Sequence, residues 1–197
     1  MNIIAVDIET SGFDACKCSI WQIGAIDLAN THQQFLEEAR VDDGNIIEKG
    51  AMKVCGKTES QLRDPYKQSE KELLEHFFNW CKKVGATNCL VQNPGFDIGY
   101  LTQKALYHGL KIPFHYRTFD LHSIAQAMYW QKHQGFLEEN HKSSMGLRTI
   151  LRLVGIKDTR EAHNALEDCK LTAECFWRLT RGKGLFSEYK DLPLKSL

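Results

Sequence analysis

Apolar and polar positions divide the chain into strand-like runs, which are followed by an alternation of strands and helices. Three runs, at 2–8, 20–28 and 33–41, have the character of strands, and a fourth follows at 87–92. Segment 69–84 instead repeats its apolar residues at helical spacing after a capping box. Four further helices are expected at 97–109, 120–130, 145–154 and 165–180. This order predicts a single α/β domain with a mixed β-sheet flanked by helices.

Two segments fit neither the strand period nor the helix period. Residues 131–144 are polar and carry two histidines, which predicts a mobile loop. Residues 182–197 follow the last predicted helix and are expected to lie on the surface or to be disordered. The domain is therefore expected to span 1–181, with 182–197 as a C-terminal tail.

Three acidic side chains stand where predicted strands end. Asp7 and Glu9 project from the same face of the first strand, because side chains alternate along a strand. Neighbouring buried carboxylates repel each other, and a divalent cation between them removes that cost. Asp97 follows the fourth strand, where ligands of open α/β sheets collect, and Gly12 permits a sharp turn close to a ligand. The alternatives are two solvated acids at a strand end and an aspartate that stabilises a helix dipole.

A histidine and another aspartate come near the end of the chain. His163 and Asp168 are five residues apart, so on one helix their side chains would diverge by about 140°. Asn164 and Glu167 form a capping box that would start the helix at Ala165. His163 then lies in the preceding loop, from which its imidazole is free to approach the acids. The alternative is a purely structural histidine.

The order Asp-x-Glu, then Asp, then His-x-Ala-x-x-Asp resembles the DnaQ-like exonucleases of the DEDDh group, from residue 2 to about residue 180. The resemblance implies a ribonuclease H-like fold and a 3′–5′ exonuclease that releases nucleoside monophosphates from single-stranded ends, with DNA slightly favoured. It implies His163 as the base that takes a proton from the attacking water. It also implies two Mg²⁺ or Mn²⁺ ions held by four carboxylates: Asp7, Glu9, Asp97 and Asp168.

The resemblance also implies a pocket for the 3′-terminal nucleotide. The backbone around Thr10 and Ser11 would bind the terminal hydroxyl, and Phe13 would stack beside the terminal base, unless Phe13 is buried. The remaining pocket residues are expected to be Gly12, Asn93 and Phe96.

The chain departs from the family pattern at two places near this pocket. Gln92 stands where many relatives carry histidine, and Cys55-Gly56 stands where proofreading relatives often have His-Gly. Both departures leave the choice between DNA and RNA open.

Composition narrows the classes of protein. The formal net charge is zero, which excludes a protein that coats nucleic acid through a global basic field. The seven cysteines form no pair of C-x-x-C units, so we expect reduced thiols in a cytoplasmic protein and no structural zinc. The N-terminal apolar run is too short for a signal peptide, and no membrane partner is expected.

Three rival functions stay open from the sequence. One is an oligoribonuclease or RNA-trimming enzyme of the same family, whose contacts to the 2′-hydroxyl have no sequence signature here. Another is a catalytically retired module that only binds nucleic-acid ends, and the last is a structural α/β domain. The expected partners are single-stranded DNA or RNA 3′ ends, with recruitment to a larger repair, replication or RNA-processing complex as a further possibility.

Overall fold

A five-stranded mixed sheet runs through the centre of the computed structural model, which describes residues 1–160 and 162–193. The strands, in spatial order, are β3 (Gln34–Glu38), β2 (Ile20–Asp27), β1 (Ile3–Thr10), β4 (Asn88–Val91) and β5 (Phe119–Asp120). β2 is antiparallel to both of its neighbours, whereas β1, β4 and β5 are parallel. The predicted mixed sheet is confirmed. β5 was not predicted, because two residues carry no period.

Helices flank the sheet on both faces. They are α1 (Lys49–Cys55), α2 (Glu59–Leu62), α3 (Glu70–Lys83), α4 (Pro94–Tyr107), α5 (Leu121–His133), α6 (Leu147–Leu153) and α7 (Ala165–Arg181). The predicted capping box of α3 is present, with Ser69 and Glu72 bonded reciprocally. α7 begins at Ala165 as predicted, and the Asn164 side chain accepts hydrogen bonds from two backbone N–H groups of its first turn. α4 starts three residues before its predicted start, since proline suits a first helical turn. The short helices α1 and α2 were not predicted.

The prediction of an irregular loop at 131–144 is wrong. α5 continues to His133, and a β-hairpin follows, made of β6 (Glu138–Glu139) and β7 (Lys142–Ser143). Asn140 and His141 form its turn, with φ of 50° and 59°, which is the turn geometry favoured between two hairpin strands. Gln126 anchors the hairpin, because its Nε2 donates to the Leu137 carbonyl and its Oε1 accepts from the Leu137 N–H.

The described part of the C-terminal tail packs on α7. Glu174 accepts hydrogen bonds from the backbone N–H groups of Leu185 and Phe186, at 2.8 and 3.0 Å. Arg178 pairs with Glu174 at 2.7 Å and donates to the Tyr189 carbonyl. Residues 182–193 are therefore hydrogen-bonded to the domain surface. The last four residues of the predicted tail, 194–197, lie outside the described part.

The two faces of β1 point into different hydrophobic cores. Ile4, Val6 and Ile8 pack with α3 and α4, whereas Ala5 packs with α5, α6 and α7. Because side chains alternate along a strand, Asp7 and Glu9 share the face of Ala5 and point toward α7. The sheet therefore presents both acids to the helix that carries Asp168.

α7 approaches β2 closely enough to require a glycine. A Cβ on Gly24 would lie 2.3 Å from the backbone carbon of Ala165. The Ala165 N–H donates to the Gln22 side chain at 2.9 Å, and the Cys169 thiol donates to the Gly24 carbonyl at 3.0 Å. Gly24 is paired with Asp7 across the β1–β2 ladder. The start of α7 is thus seated directly beside the acidic strand.

A buried ionic cluster ties together β2, α3 and α4. Glu70 is completely buried and accepts a hydrogen bond from the Ile20 N–H at 2.6 Å. Its other oxygen contacts the Lys104 ammonium at 3.3 Å and the His108 ring at 3.0 Å. Since Lys104 already supplies a positive charge, this cluster is a structural clamp rather than a cation site.

All seven cysteines are free thiols, as predicted. Within residues 1–160 and 162–193, no helix combines the length and apolar character needed to cross a bilayer.

The seat of α7 gives a first prediction. Gly24→Ala should destabilise the protein by about 1–3 kcal/mol, because the added methyl group collides with backbone atoms that have no free space. Gly99→Ala is the matched control, since a Cβ there meets nothing within 4 Å and lies inside α4. Gly99→Ala should stabilise the protein by about 0.5–1 kcal/mol. Urea unfolding measures the stability of both variants, and equal stability would contradict the close contact of α7 with Gly24.

Candidate active site

A cleft of about 640 Å³ opens where β1 and β4 end. It brings together every predicted catalytic residue: Asp7, Glu9, Asp97, His163 and Asp168. It is also lined by most of the predicted substrate-binding residues: Thr10, Gly12, Phe13, Asn93 and Phe96. The elements that supply these side chains are far apart in sequence, so the tertiary fold assembles the cleft.

The acids in this cleft are held largely away from water. Burial raises the pKa of Glu9 and that of Asp97 to about 7, and the neighbouring carboxylates add to both shifts. Burial also raises the pKa of Asp7 well above its usual range, with further contributions from Asp97, Asp168 and Glu9. A hydrogen bond of 3.2 Å from the Ile8 N–H to Asp97 opposes the shift of that residue. The cluster therefore favours protons, or another source of positive charge, near neutral pH.

The histidine and two acids form the tightest group. Ligand atoms of Glu9, His163 and Asp168 all lie within 4.8 Å of one another. The His163 Nδ1 lies 3.1 Å from an Asp168 oxygen, which raises the pKa of His163, while partial burial opposes that shift. The His163 side chain remains 51% exposed and so faces the open cleft.

Arg160 is a member of the site that the sequence interpretation missed. Its guanidinium donates to the second oxygen of Asp168 and makes two bonds of 2.9 Å to Asp158. Arg148 contacts Asp158 from the other side at 3.1 Å. Arg160 opposes the upward pKa shifts of Asp7 and Glu9. The sequence feature that could have indicated a role for Arg160 is its position three residues before His163.

The donor set fits hard divalent cations. The four acids supply carboxylate oxygens, which Mg²⁺ and Mn²⁺ prefer. The raised pKa values of Asp7, Glu9 and Asp97 indicate that the protein compensates their negative charge incompletely. Two of these acids, Glu9 and Asp168, have oxygens within 4.8 Å of each other and of a ring nitrogen of His163. Asp7, Glu9, Asp97 and Asp168 are therefore suited to hold such ions.

The loop after β1 corrects one predicted contact. Ser11 is fully buried and lies outside the cleft wall. Its hydroxyl donates to the Ile46 carbonyl, its N–H donates to the Ser19 carbonyl, and its own carbonyl accepts from the Glu48 N–H. Each of its polar groups has a partner within the protein, so Ser11 shapes the loop and is turned away from the cleft.

Phe13 is 82% exposed, which excludes the alternative of a buried ring. Its ring meets the Phe96 ring edge-on, with centroids 5.9 Å apart. The backbone beneath it is held by Gly12, whose carbonyl accepts hydrogen bonds from Thr10 and Tyr100 at 2.7 Å each. An aromatic face is therefore presented to the cleft on a fixed turn.

The opposite wall was not predicted. It consists of Gly50, Ala51 and Val54 on α1. One departure from the family pattern, Cys55-Gly56, lies at the end of α1, and the other, Gln92, lies in the cleft lining. Gly56 ends α1 in a left-handed conformation with φ of 67°. Gln92 lines the cleft and donates to the Met145 carbonyl at 3.2 Å, while its Oε1 has no partner among the described residues.

Comparison with known proteins identifies the family. The model of the RNase_T family, described as exonuclease, matches residues 4–176. The chain belongs to this exonuclease family. The predicted DEDDh-type relationship and the predicted 3′–5′ exonuclease class are thereby confirmed. Ribonuclease T of Vibrio parahaemolyticus serotype O3:K6 is 27% identical over 212 residues, which cover 94% of this chain and 91% of that protein. Ribonuclease T of Photobacterium profundum is 26% identical over 215 residues, covering 95% and 88%.

Solved structures support the fold. The nuclease domain of 3′hExo, a DEDDh family member bound to rAMP, superposes with a TM-score of 0.67 at 15% identity, covering all of this chain and 97% of that one. E. coli exonuclease I in complex with a dA16 oligonucleotide superposes with a TM-score of 0.73 at 18% identity, covering 90% of this chain. This chain spans about 40% of the length of exonuclease I. The ribonuclease H-like fold class is confirmed.

The uncompensated acids give a second prediction, on stability. Between about pH 5 and pH 8 the folded protein binds more protons than the unfolded chain, because Glu9 and Asp97 have pKa values of about 7 when folded and near 4 when unfolded. In EDTA the Tm should therefore fall as the pH rises through this window. Asp7→Asn should raise the Tm at pH 8 by roughly 2–4 °C, equivalent to about 1 kcal/mol, and weaken the pH dependence.

Asp43→Asn is the matched control, since Asp43 is exposed and does not line the cleft. It should leave the Tm unchanged. Millimolar Mn²⁺ should raise the Tm of the wild type and raise that of Asp7→Asn less. A wild-type Tm in EDTA that is flat from pH 5 to pH 8 would contradict the repulsion inferred for the cluster.

Proposed function

We propose that the protein is a divalent-metal-dependent enzyme that hydrolyses phosphodiester bonds one by one from the 3′ ends of single-stranded nucleic acid, releasing nucleoside monophosphates. One observation carries this proposal: four carboxylates and a half-exposed histidine share one cleft beside an exposed aromatic ring. A retired binding module would have no need to keep all five polar groups, because each buried acid lowers stability.

Asp7, Glu9, Asp97 and Asp168 would hold two Mg²⁺ or Mn²⁺ ions. When bound, such ions polarise a phosphodiester and neutralise the charge that develops during its hydrolysis. The acids themselves must be ionised to bind a cation, which requires them to lose the protons that burial favours. Cation binding and activity should therefore both increase as the pH rises through neutrality.

His163 would act as the base. Because its Nδ1 faces Asp168, the Nε2 lone pair is left to accept a proton from a water molecule in the cleft. Asp168 thus has two roles, since it orients the ring and stabilises the imidazolium that forms. The exposed position of the ring lets the proton pass on to solvent.

The terminal base would lie between Phe13 and the α1 wall. Stacking on an aromatic ring accepts every base, which suits an enzyme that removes successive nucleotides. Thr10, Gly12 and Asn93 line the same region and would surround the terminal sugar. With Ser11 turned away from the cleft, the hydroxyl contact of the sugar would fall to the exposed Asn93 and the half-buried Thr10.

RNA trimming is the second candidate, and the matches to Ribonuclease T over most of both chains favour it. The slight preference for DNA stays a prediction. Among the structural neighbours, exonuclease I is bound to single-stranded DNA and 3′hExo is bound to rAMP, so the sugar must be tested directly.

The proposal predicts a defined assay result. Strands of DNA and RNA with the same sequence and a 5′ label should shorten stepwise from the 3′ end with Mg²⁺ or Mn²⁺, and should remain intact in EDTA. A 3′-phosphate should block the reaction, and Asp7→Asn should lower the rate at least 10³-fold. The exposed-site variant Asp43→Asn should retain full rate. Cleavage of a circular strand, or full activity in EDTA, would overturn the proposal, and the ratio of DNA to RNA rates decides the substrate.

The role of His163 gives a further prediction. His163→Ala should reduce kcat by roughly 10²–10⁴, the usual contribution of a positioned base, and leave Mn²⁺ affinity unchanged. His32→Ala is the control, because His32 is exposed in the turn between β2 and β3 and does not line the cleft. Calorimetric titration with Mn²⁺ separates two failures. Normal turnover would make His163 a loop residue, while lost Mn²⁺ affinity would make it a ligand.

A further inference from the structure

A second groove adjoins the catalytic cleft on the side of α6. It has a volume of about 530 Å³ and is lined by Arg148, Thr149, Arg152, Gly155, Ile156, Lys157 and Asp158. Arg148 also lines the catalytic cleft, so the two depressions meet at this residue. The Arg148 side chain is 82% exposed at their junction.

The groove carries an excess of positive charge. Among the described residues that line it, the one acid is Asp158. It is already paired with Arg160 and Arg148, and these guanidinium groups hold the pKa of Asp158 far below its usual range. Arg152 and Lys157 are both exposed. Neither side chain makes an ion pair or hydrogen bond with any residue in 1–160 or 162–193. Their charges are therefore available to a ligand.

The arrangement of the charges is linear. Arg148 and Arg152 are four residues apart on α6, which places them on one face, about 6 Å apart along the helix axis. Lys157 follows in the loop that leads to Arg160 and His163. A row of cations that starts at the catalytic cleft suits a chain of phosphates better than one compact anion.

We propose that this groove binds the phosphates of the substrate strand on the 5′ side of the bond that is cut. The inference rests on the proposed function and extends it from the terminal nucleotide to the body of the strand. The chain has no net positive charge, and its cleft is lined with carboxylates that repel a polyanion. The groove supplies the local positive charge that would hold the strand in place. Phosphates in the groove are attracted to the row of cations, while the terminal nucleotide lies among the acids.

The test compares two variants that each lose two exposed lysine or arginine charges. Arg152→Gln/Lys157→Gln removes the groove charges that have no partner. Lys82→Gln/Lys83→Gln is the control, because these exposed lysines end α3 near the start of β4, at the end of the sheet away from the cleft. Kinetics are measured on a dinucleotide and on single strands of about 12 nucleotides, at several salt concentrations.

For the longer strand, the groove variant should raise KM roughly tenfold and leave kcat within about twofold, because the lost contacts lie outside the reacting atoms. The salt dependence of log kcat/KM should weaken by about 1.4, from about 0.7 for each lost phosphate contact. For the dinucleotide, which does not extend along the groove, kinetics should match the wild type. The control variant should match the wild type on both substrates.

Any of three results would contradict phosphate binding in the groove. The groove variant could leave the KM for the long strand unchanged, or it could lose the same fraction of kcat/KM on both substrates. The control variant could also change the kinetics as much as the groove variant does. Fluorescence anisotropy of the labelled strand in EDTA provides a readout that needs no turnover. Suppose that the wild type degrades no strand, and that the groove variant binds the strand more weakly than the wild type does. The proposed activity is then wrong, and the proposed binding of phosphates in the groove is supported. If AMP binding weakens and strand binding does not, the groove is a nucleotide pocket and this inference is wrong.

Discussion

The close approach of α7 to β2 is the contact on which the site depends. Gly24 leaves room for the backbone of Ala165, and Gln22 and Cys169 then bond the first turns of α7 to the strand. Gly24 is paired with Asp7, so the contact sets the distance between the acids of β1 and Asp168. A side chain at Gly24 would push the helix outward and separate the ligands, although none of the reacting groups would change.

That geometry conflicts with the stability of the fold. Removing three acids from water and placing them beside one another raises the pKa of each, which means that the folded protein stores unfavourable electrostatic energy near neutrality. Arg160 offsets part of it by pairing with Asp168. The remaining excess of negative charge is the feature that would attract the proposed cations to the cleft. Strain of this kind is typical of functional sites, where the surrounding structure holds together groups that repel.

The clamp at Glu70 supports the other side of the cleft. It joins the start of β2 to α3 and α4, and α4 carries Phe96, Asp97 and Tyr100. The Tyr100 hydroxyl in turn fixes the carbonyl of Gly12 below Phe13. The aromatic ring thus stands on a rigid turn although it is itself exposed. Rigid support for an exposed ring lowers the entropy lost when a base stacks on it.

The sequence by itself determined the order of the main strands and helices, the capped starts of α3 and α7, and the candidate acids and histidine that share the cleft. These features are local: they depend on periodicity, capping and short spacings within one segment. Ser11 shows where local reasoning fails, because its partners Ser19, Ile46 and Glu48 come from other segments. Only the tertiary structure decided that Arg160 pairs with Asp168, that α1 forms a wall of the cleft, and that Arg148 joins the cleft to a basic groove. Such contacts arise between residues distant in sequence, and the packing of helices on the sheet, which no single segment encodes, brings them together.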